Sequence, residues 1–187
     1  MYRAVALWAL RTKVALSDMH RLEQLANEAR IEFKPGTNAV LLNGEDVTEA
    51  IRAPGIAGAA SEISRIPAVR RALVDKQRAM GEQSSVVMEG RDIGSVVFPN
   101  ATVKIFLDAQ PQERTERRAK QSSLPADVVA QHLHERDQRD RTRSESPLVQ
   151  SPDAVYVDTT GLTIDEVEAA LLKLIRDRTS NGKERTH

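Results

Sequence analysis

Apolar and polar positions along the 187 residues change period several times. Residues 2–12 read as a helix, with an apolar stretch from Ala4 to Leu10. Residues 17–29 read as a second, with Leu22, Leu25, Ala26 and Ala29 at helical spacing and Ser17 as the expected N-cap. The period then shortens. Ile31–Phe33 and Ala39–Leu42 read as two short strands joined by Pro-Gly-Thr-Asn, with an Asn-Gly turn after the second. Two helices are expected next, over APGIAGAASEIS and PAVRRALVDKQRAM, with Pro67 in the first turn of the latter. The second half alternates. Apolar runs at Ser85–Met88, Val103–Leu107 and Ala154–Val157 predict buried strands, separated by helices over QPQERTERRAKQ and about Asp127 to Asp140. Thr163 and Glu166 form a capping box that opens a last helix, whose polar tail from Arg176 is expected to fray. Continuous apolar strands alternating with helices predict a parallel α/β sheet, and no internal repeat interrupts the pattern.

A hydrophobic fraction of 40% over this length suits one domain with a real core. The apolar stretch at the start is too short to span a bilayer, which points to a soluble protein. Absence of cysteine excludes a disulfide framework and suits a reducing cytoplasm. Lys+Arg and Asp+Glu balance at 27 each, without the basic excess of a nucleic-acid binder. Aromatic residues make up only 3%, too few for base-stacking platforms, so RNA binding is the weaker alternative. The distribution of charge is more informative. Arg114, Arg117, Arg118, Arg136, Arg139, Arg141 and Arg143 crowd one region, and arginine suits forked recognition of phosphate or carboxylate. The bland alternative is a solvated helical face braced by Glu113–Arg117 and Glu135–Arg139 pairs.

Two segments are candidates for chemistry. The loop 89-EGRDIG-94 follows an expected strand, where open parallel sheets bind ligands. It offers two carboxylates and an arginine between glycines, which allow close backbone approach. A simple turn is the commoner explanation for such a loop. The second segment is 135-ERDQRDRTR-143. On a helix, Arg136, Asp140 and Arg143 share one face, two cations around one carboxylate. Such a face can hold phosphate and accept from ribose hydroxyls, or it can be a salt-bridged helix end. His132 and His134 face different ways on a helix, so no metal pair is expected.

Taken together, MYRAVALWAL, NGEDVTEAIR, AASEISRIPAVRRAL, VVMEGRDIGSVVFPNATVKIFLDA, ERTERRAKQ, ERDQRDRTRSESPL and DAVYVDTTGLTIDEV resemble segments of bacterial cytidylate kinases, in the family's order. The combination of EGRDIGxVVFP, VKIFLDA and the Arg-Asp-rich stretch is specific. The resemblance implies a single nucleoside monophosphate kinase-like domain over 1–187. It would carry a β-containing nucleotide-binding insert at about 30–82 and a short lid at about 117–136. It implies transfer of the γ-phosphoryl of ATP, with Mg²⁺, to CMP or dCMP, by a cytoplasmic monomer.

Roles follow by position. Tyr2 and Arg3 match the Tyr-Arg ending the first acceptor motif, with Arg3 on the CMP phosphate. Ser61, Arg70 and Asp92 match the readers of the cytosine edge, joined by Arg143. Arg136 and Asp140 match ribose contacts, and Arg91 an arginine on the acceptor phosphate. Glu89 stands where the family has an acidic residue near Mg²⁺, acting through water. Arg117 and Arg118 stand near the start of the lid, within reach of the transferring group.

One departure matters. A phosphate loop reads G-x-x-x-x-G-K-[ST], and no glycine here opens that pattern; the only Gly-Lys is Gly182-Lys183. The family carries this loop upstream of Tyr-Arg, with its first two strands. The lid stretch, Ser122 to Glu135, is also a few residues short. These departures keep open a non-catalytic remnant that binds pyrimidine nucleotide. They also predict open strand edges at Ser85–Met88 and Val103–Leu107.

Overall fold

Ala4, Val5, Ala6, Leu7 and Ala9 are all buried in a ten-residue helix, α1 (Tyr2–Arg11), so its small side chains let neighbouring helices approach closely. The computed structural model describes residues 1–122, 124–142 and 147–183, with side chains through 180. These fall into two compact units, Met1–Val87 and Met88–His187.

In the first unit, α1 packs on α3 (Ile56–Ile63) and on α2 (Met19–Glu28), and α2 packs on α4 (Pro67–Gln83). Leu22, Leu25, Ile63, Val69 and Leu73 fill the space between them, nearly free of solvent. Asp18, not Ser17, caps α2: its carboxylate accepts from the Arg21 amide at 3.0 Å, and the helix begins at Met19. Asp18→Ala is expected to cost about 0.5–2 kcal/mol, read as a lower melting temperature.

Between α2 and α3 lies an antiparallel sheet of β1 (Ile31–Phe33), β2 (Val40–Leu42) and β3 (Glu45–Asp46), in that order. Asn43 and Gly44 both have positive φ, 52° and 88°, as a two-residue hairpin turn of this kind requires. The third strand is two exposed acidic residues, so no apolar alternation announces it.

The second unit pairs β4 (Ile105–Asp108) with β5 (Val155–Asp158) in parallel, Ile105 opposite Val155 through Asp108 opposite Asp158. The crossover runs through α5 (Pro111–Lys120) and α6 (Ala126–Thr142). At the carboxyl ends, the Thr159 amide and hydroxyl both donate to the Asp108 carbonyl, at 2.8 and 2.9 Å. The capping box forms as expected, with the Thr163 amide and hydroxyl donating to Glu166 at 2.8 Å. The helix it opens, α7 (Ile164–Lys183), continues through the stretch expected to fray.

Ser85–Met88 is not a strand. A strand exists only as part of a ladder, and no described segment pairs with these residues. Val86 and Val87 are left exposed, Val87 at 98%. Leu107 and Tyr156 are half-exposed as well, unusual for a parallel sheet, which is normally covered on both faces. Among the described residues, no helix is long and apolar enough to cross a membrane.

Candidate active site

In the second unit the Glu-Gly-Arg-Asp loop runs into a short π-helical turn, Ile93–Val97. The Asp92 carbonyl accepts from the Val96 and Val97 amides at 2.8 and 3.2 Å, and the Asp92 side chain is buried. Both glycines serve close packing of the loop itself. A Cβ at Gly90 would fall 2.7 Å from Cγ1 of Ile93, and one at Gly94 would fall 3.1 Å from Cδ of Lys104. Lys104 is itself nearly buried. It donates to the Pro99 carbonyl and pairs with Asp153 at 2.6 Å, anchoring the turn to the chain entering β5. That contact holds the Asp153 carboxyl below its ordinary range. The stability it adds is present above the unfolded aspartate range and is lost as pH falls through the depressed value.

Arg91 reaches from this loop to α6. Its Nε lies 3.2 Å from Oδ2 of Asp140, and its Nη2 lies 3.7 Å from Oδ1 of Asp137. Arg136 approaches the same Asp140 oxygen at 3.7 Å, so the expected face of α6 forms, with Arg143 outside the described residues. Asp140 is buried, and its carbonyl accepts from the Leu148 amide at 2.7 Å. Arg114 comes from α5 and places Nη1 2.5 Å from Oδ2 of Asp137. Three arginines and two aspartates thus interleave as Arg114–Asp137–Arg91–Asp140–Arg136, with one positive charge in excess. A groove of about 860 Å³ between α5 and α6 opens onto Arg114, Asp137 and Arg141.

The two lid arginines differ. Arg117 is fully engaged: Nε donates to Glu113 at 2.9 Å, Nη1 to the Thr159 hydroxyl at 3.0 Å, and Nη2 to the Thr159 and Leu162 carbonyls at 2.6 and 3.2 Å. It ties α5 to the turn after β5. Arg118 is exposed, and no ion pair among the described residues engages it. Arg139 donates to the Glu135 carbonyl at 3.0 Å. Glu89 is exposed at the start of the loop.

In the first unit, Tyr2, Ser61 and Arg70 gather. The Arg70 guanidinium, although almost fully buried, lies over the Tyr2 ring at 5.8 Å from its centre and donates to the Ser64 carbonyl at 3.2 Å. The Ser64 hydroxyl in turn donates to the Ser61 carbonyl at 2.8 Å. A buried cation is costly to desolvate, and the π-face and the carbonyl offset part of that cost. Arg3 is exposed and reaches the Ile51 carbonyl at 3.4 Å. The sequence singles out Arg114 only as one of the crowded arginines and does not single out Asp137. The signal for Asp137 was its three-residue spacing from Asp140, which puts two carboxylates on one helical face.

Fixed arginines interleaved with carboxylates beside a parallel βα unit form an arrangement that can take a phosphate-bearing substrate. A family model described as cytidylate kinase matches residues 1–177. The chain is 58% identical over 191 residues to a cytidylate kinase of Solibacter usitatus, the match covering 98% of this chain and 82% of the relative. It is 44% identical over 191 residues to one of Pelotomaculum thermopropionicum, covering 98% and 83%. It is 46% identical over 185 residues to one of Syntrophotalea carbinolica, covering 95% and 79%. The chain belongs to the cytidylate kinase family.

Proposed function

We propose that this protein transfers the γ-phosphoryl of ATP to CMP or dCMP, and that the residues described above form its acceptor half. The observation carrying this reading is the single guanidinium of Arg91 suspended between Asp137 and Asp140 beside the buried Asp92. Phosphoryl transfer needs in-line positioning and fixed positive charge more than covalent help. Arg91 supplies that charge to the acceptor phosphate. Asp92 offers an acceptor of the kind the cytosine amine requires, and we assign Arg143 to the same base; taken by themselves in the first unit, Ser61 and Arg70 offer donors of the kind its ring acceptor requires. Arg136 and Asp140 bind the ribose, Arg3 binds the acceptor phosphate, and Tyr2 belongs to the same acceptor motif. Arg118 is the cation that a closing lid at about 117–136 can bring to the transferring group, while Arg117 anchors that lid. Closure excludes the water that would hydrolyse ATP. The nucleotide-binding insert is the part at about 30–82.

Mg²⁺ is held mainly by substrate phosphates and water, so a single carboxylate such as Glu89 suffices on the protein's side. Mg²⁺ would neutralise charge on the ATP phosphates, and Glu89 is the carboxylate that would reach it through water. The protein works in the cytoplasm as a monomer.

The donor phosphates need a loop of the G-x-x-x-x-G-K-[ST] kind, a pattern that these 187 residues do not contain, so we place it in a segment outside them. A polypeptide of these residues alone is expected to form no CDP from ATP and CMP, and to aggregate or dimerise through its open edges. A fusion placing a phosphate-loop segment of a cytidylate kinase ahead of Met1 is expected to be soluble and active. Turnover by the 187 residues alone, with a cooperative monomeric melt, would show that another part of the chain holds the ATP phosphates.

A further inference from the structure

We propose that Asp137 is a positioning residue that sets the angle at which the Arg91 guanidinium meets the acceptor phosphate; this rests on the reading of Arg91 just given. Asp137 links the 89–92 loop, α5 and α6 through one carboxylate. Its Oδ2 is occupied by Arg114 at 2.5 Å. Its Oδ1 is shut off from water, has no hydrogen-bond partner, and faces Arg91 Nη2 at 3.7 Å. A buried carboxylate oxygen without a hydrogen bond is costly and calls for an explanation. Here the explanation is a seat held ready. A shift of about 1 Å brings Nη2 to the 2.7–2.9 Å of a charge-assisted hydrogen bond. Asp140, one helical turn on, faces Arg91 Nε at 3.2 Å as an ion pair across its Oδ2, an oxygen that also makes no hydrogen bond. Two carboxylates on two different nitrogens fix the plane of the guanidinium, where one would leave it free to swing. Arg114 keeps Asp137 from following Arg91, because it clamps the other oxygen.

Charge makes the role separable from simple attraction. The five residues carry one net positive charge, and Asp137→Asn raises it to two. Phosphate attraction then increases while alignment is lost. The test uses the fusion protein, with initial rates, CMP binding by calorimetry and melting temperature measured for each variant. Asp137→Asn is expected to lower kcat about 10- to 100-fold, with KM and the CMP dissociation constant unchanged or reduced. In an Arg91→Ala background the same change is expected to have little further effect on kcat, since the two act as one unit. Asp137→Glu keeps the charge but moves both oxygens by a methylene. A brace to Arg114 tolerates that, whereas an alignment device loses kcat at an unchanged melting temperature. The proposal is overturned if Asp137→Asn and Asp137→Glu keep normal kcat, or if Asp137→Asn costs the same factor with and without Arg91. If Arg91→Ala by itself keeps full turnover, the reading of Arg91 fails, and the role of Asp137 fails with it. If Arg91→Ala is impaired while the Asp137 variants are normal, only the present inference fails.

Discussion

Arg91→Ala in the fusion protein is expected to lower kcat/KM for CMP about 10²- to 10³-fold, the range for removing one preorganised charge partner of a reacting group. The loss should exceed that of any other single arginine in the network. Among the described residues, Arg91 alone pairs with both aspartates, and the two carboxylates are largely withdrawn from water, where electrostatic interactions are weaker. Arg136 is half-exposed and meets Asp140 only at 3.7 Å, so its removal should cost less and act mainly on KM. The melting temperature of Arg91→Ala is the control. Asp137 and Asp140 would lose a shared cation, so some loss of stability is expected. A kinetic loss of two or three decades at assay temperatures well below the melt cannot come from that source. Normal kinetics with a lowered melt would make Arg91 a structural ion pair.

Asp92→Ala is expected to erase most of the preference for CMP over UMP while leaving ATP binding intact. The two bases differ by an amine donor in place of a carbonyl acceptor. A buried carboxylate accepts from the amine and repels the carbonyl. Losing a buried polar contact of this kind costs about 1–3 kcal/mol, or about 5- to 150-fold in selectivity. Asp92 also opens the π-helical turn through its carbonyl, but alanine keeps that carbonyl, so the turn should survive the substitution. An unchanged ratio of CMP to UMP turnover would remove Asp92 from base reading.

Much of the fold was legible because local chemistry and tertiary packing agree. Small apolar residues from Ala4 to Ala9 form α1, Asn43-Gly44 forms the hairpin turn, and Thr163 with Glu166 starts α7. Ser85–Met88 was misread because an apolar run shows a wish for burial, while a strand also needs a partner. Ser17 lost the cap of α2 to Asp18 by a single position, within the usual uncertainty of helix ends. At the site, the helical spacing of Arg136 and Asp140 was readable, and their contact is present. The glycines of the 89–94 loop were readable as close-approach positions, but what approaches is the protein's own Ile93 and Lys104. The contacts of Asp137 with Arg91 and Arg114 were hidden because these partners lie on other elements, 46 and 23 residues away. Helical periodicity reports which residues share a face and says nothing of what faces them.

The most direct test of the account is a side-by-side measurement of initial rates by the fusion protein with ATP, Mg²⁺ and saturating ranges of CMP, dCMP, UMP and AMP. The account predicts turnover of CMP and dCMP, with kcat/KM for UMP and AMP lower by about tenfold or more, the scale of one buried base contact. Equal turnover of CMP and UMP, or ATP hydrolysis without any transfer to CMP, would contradict it.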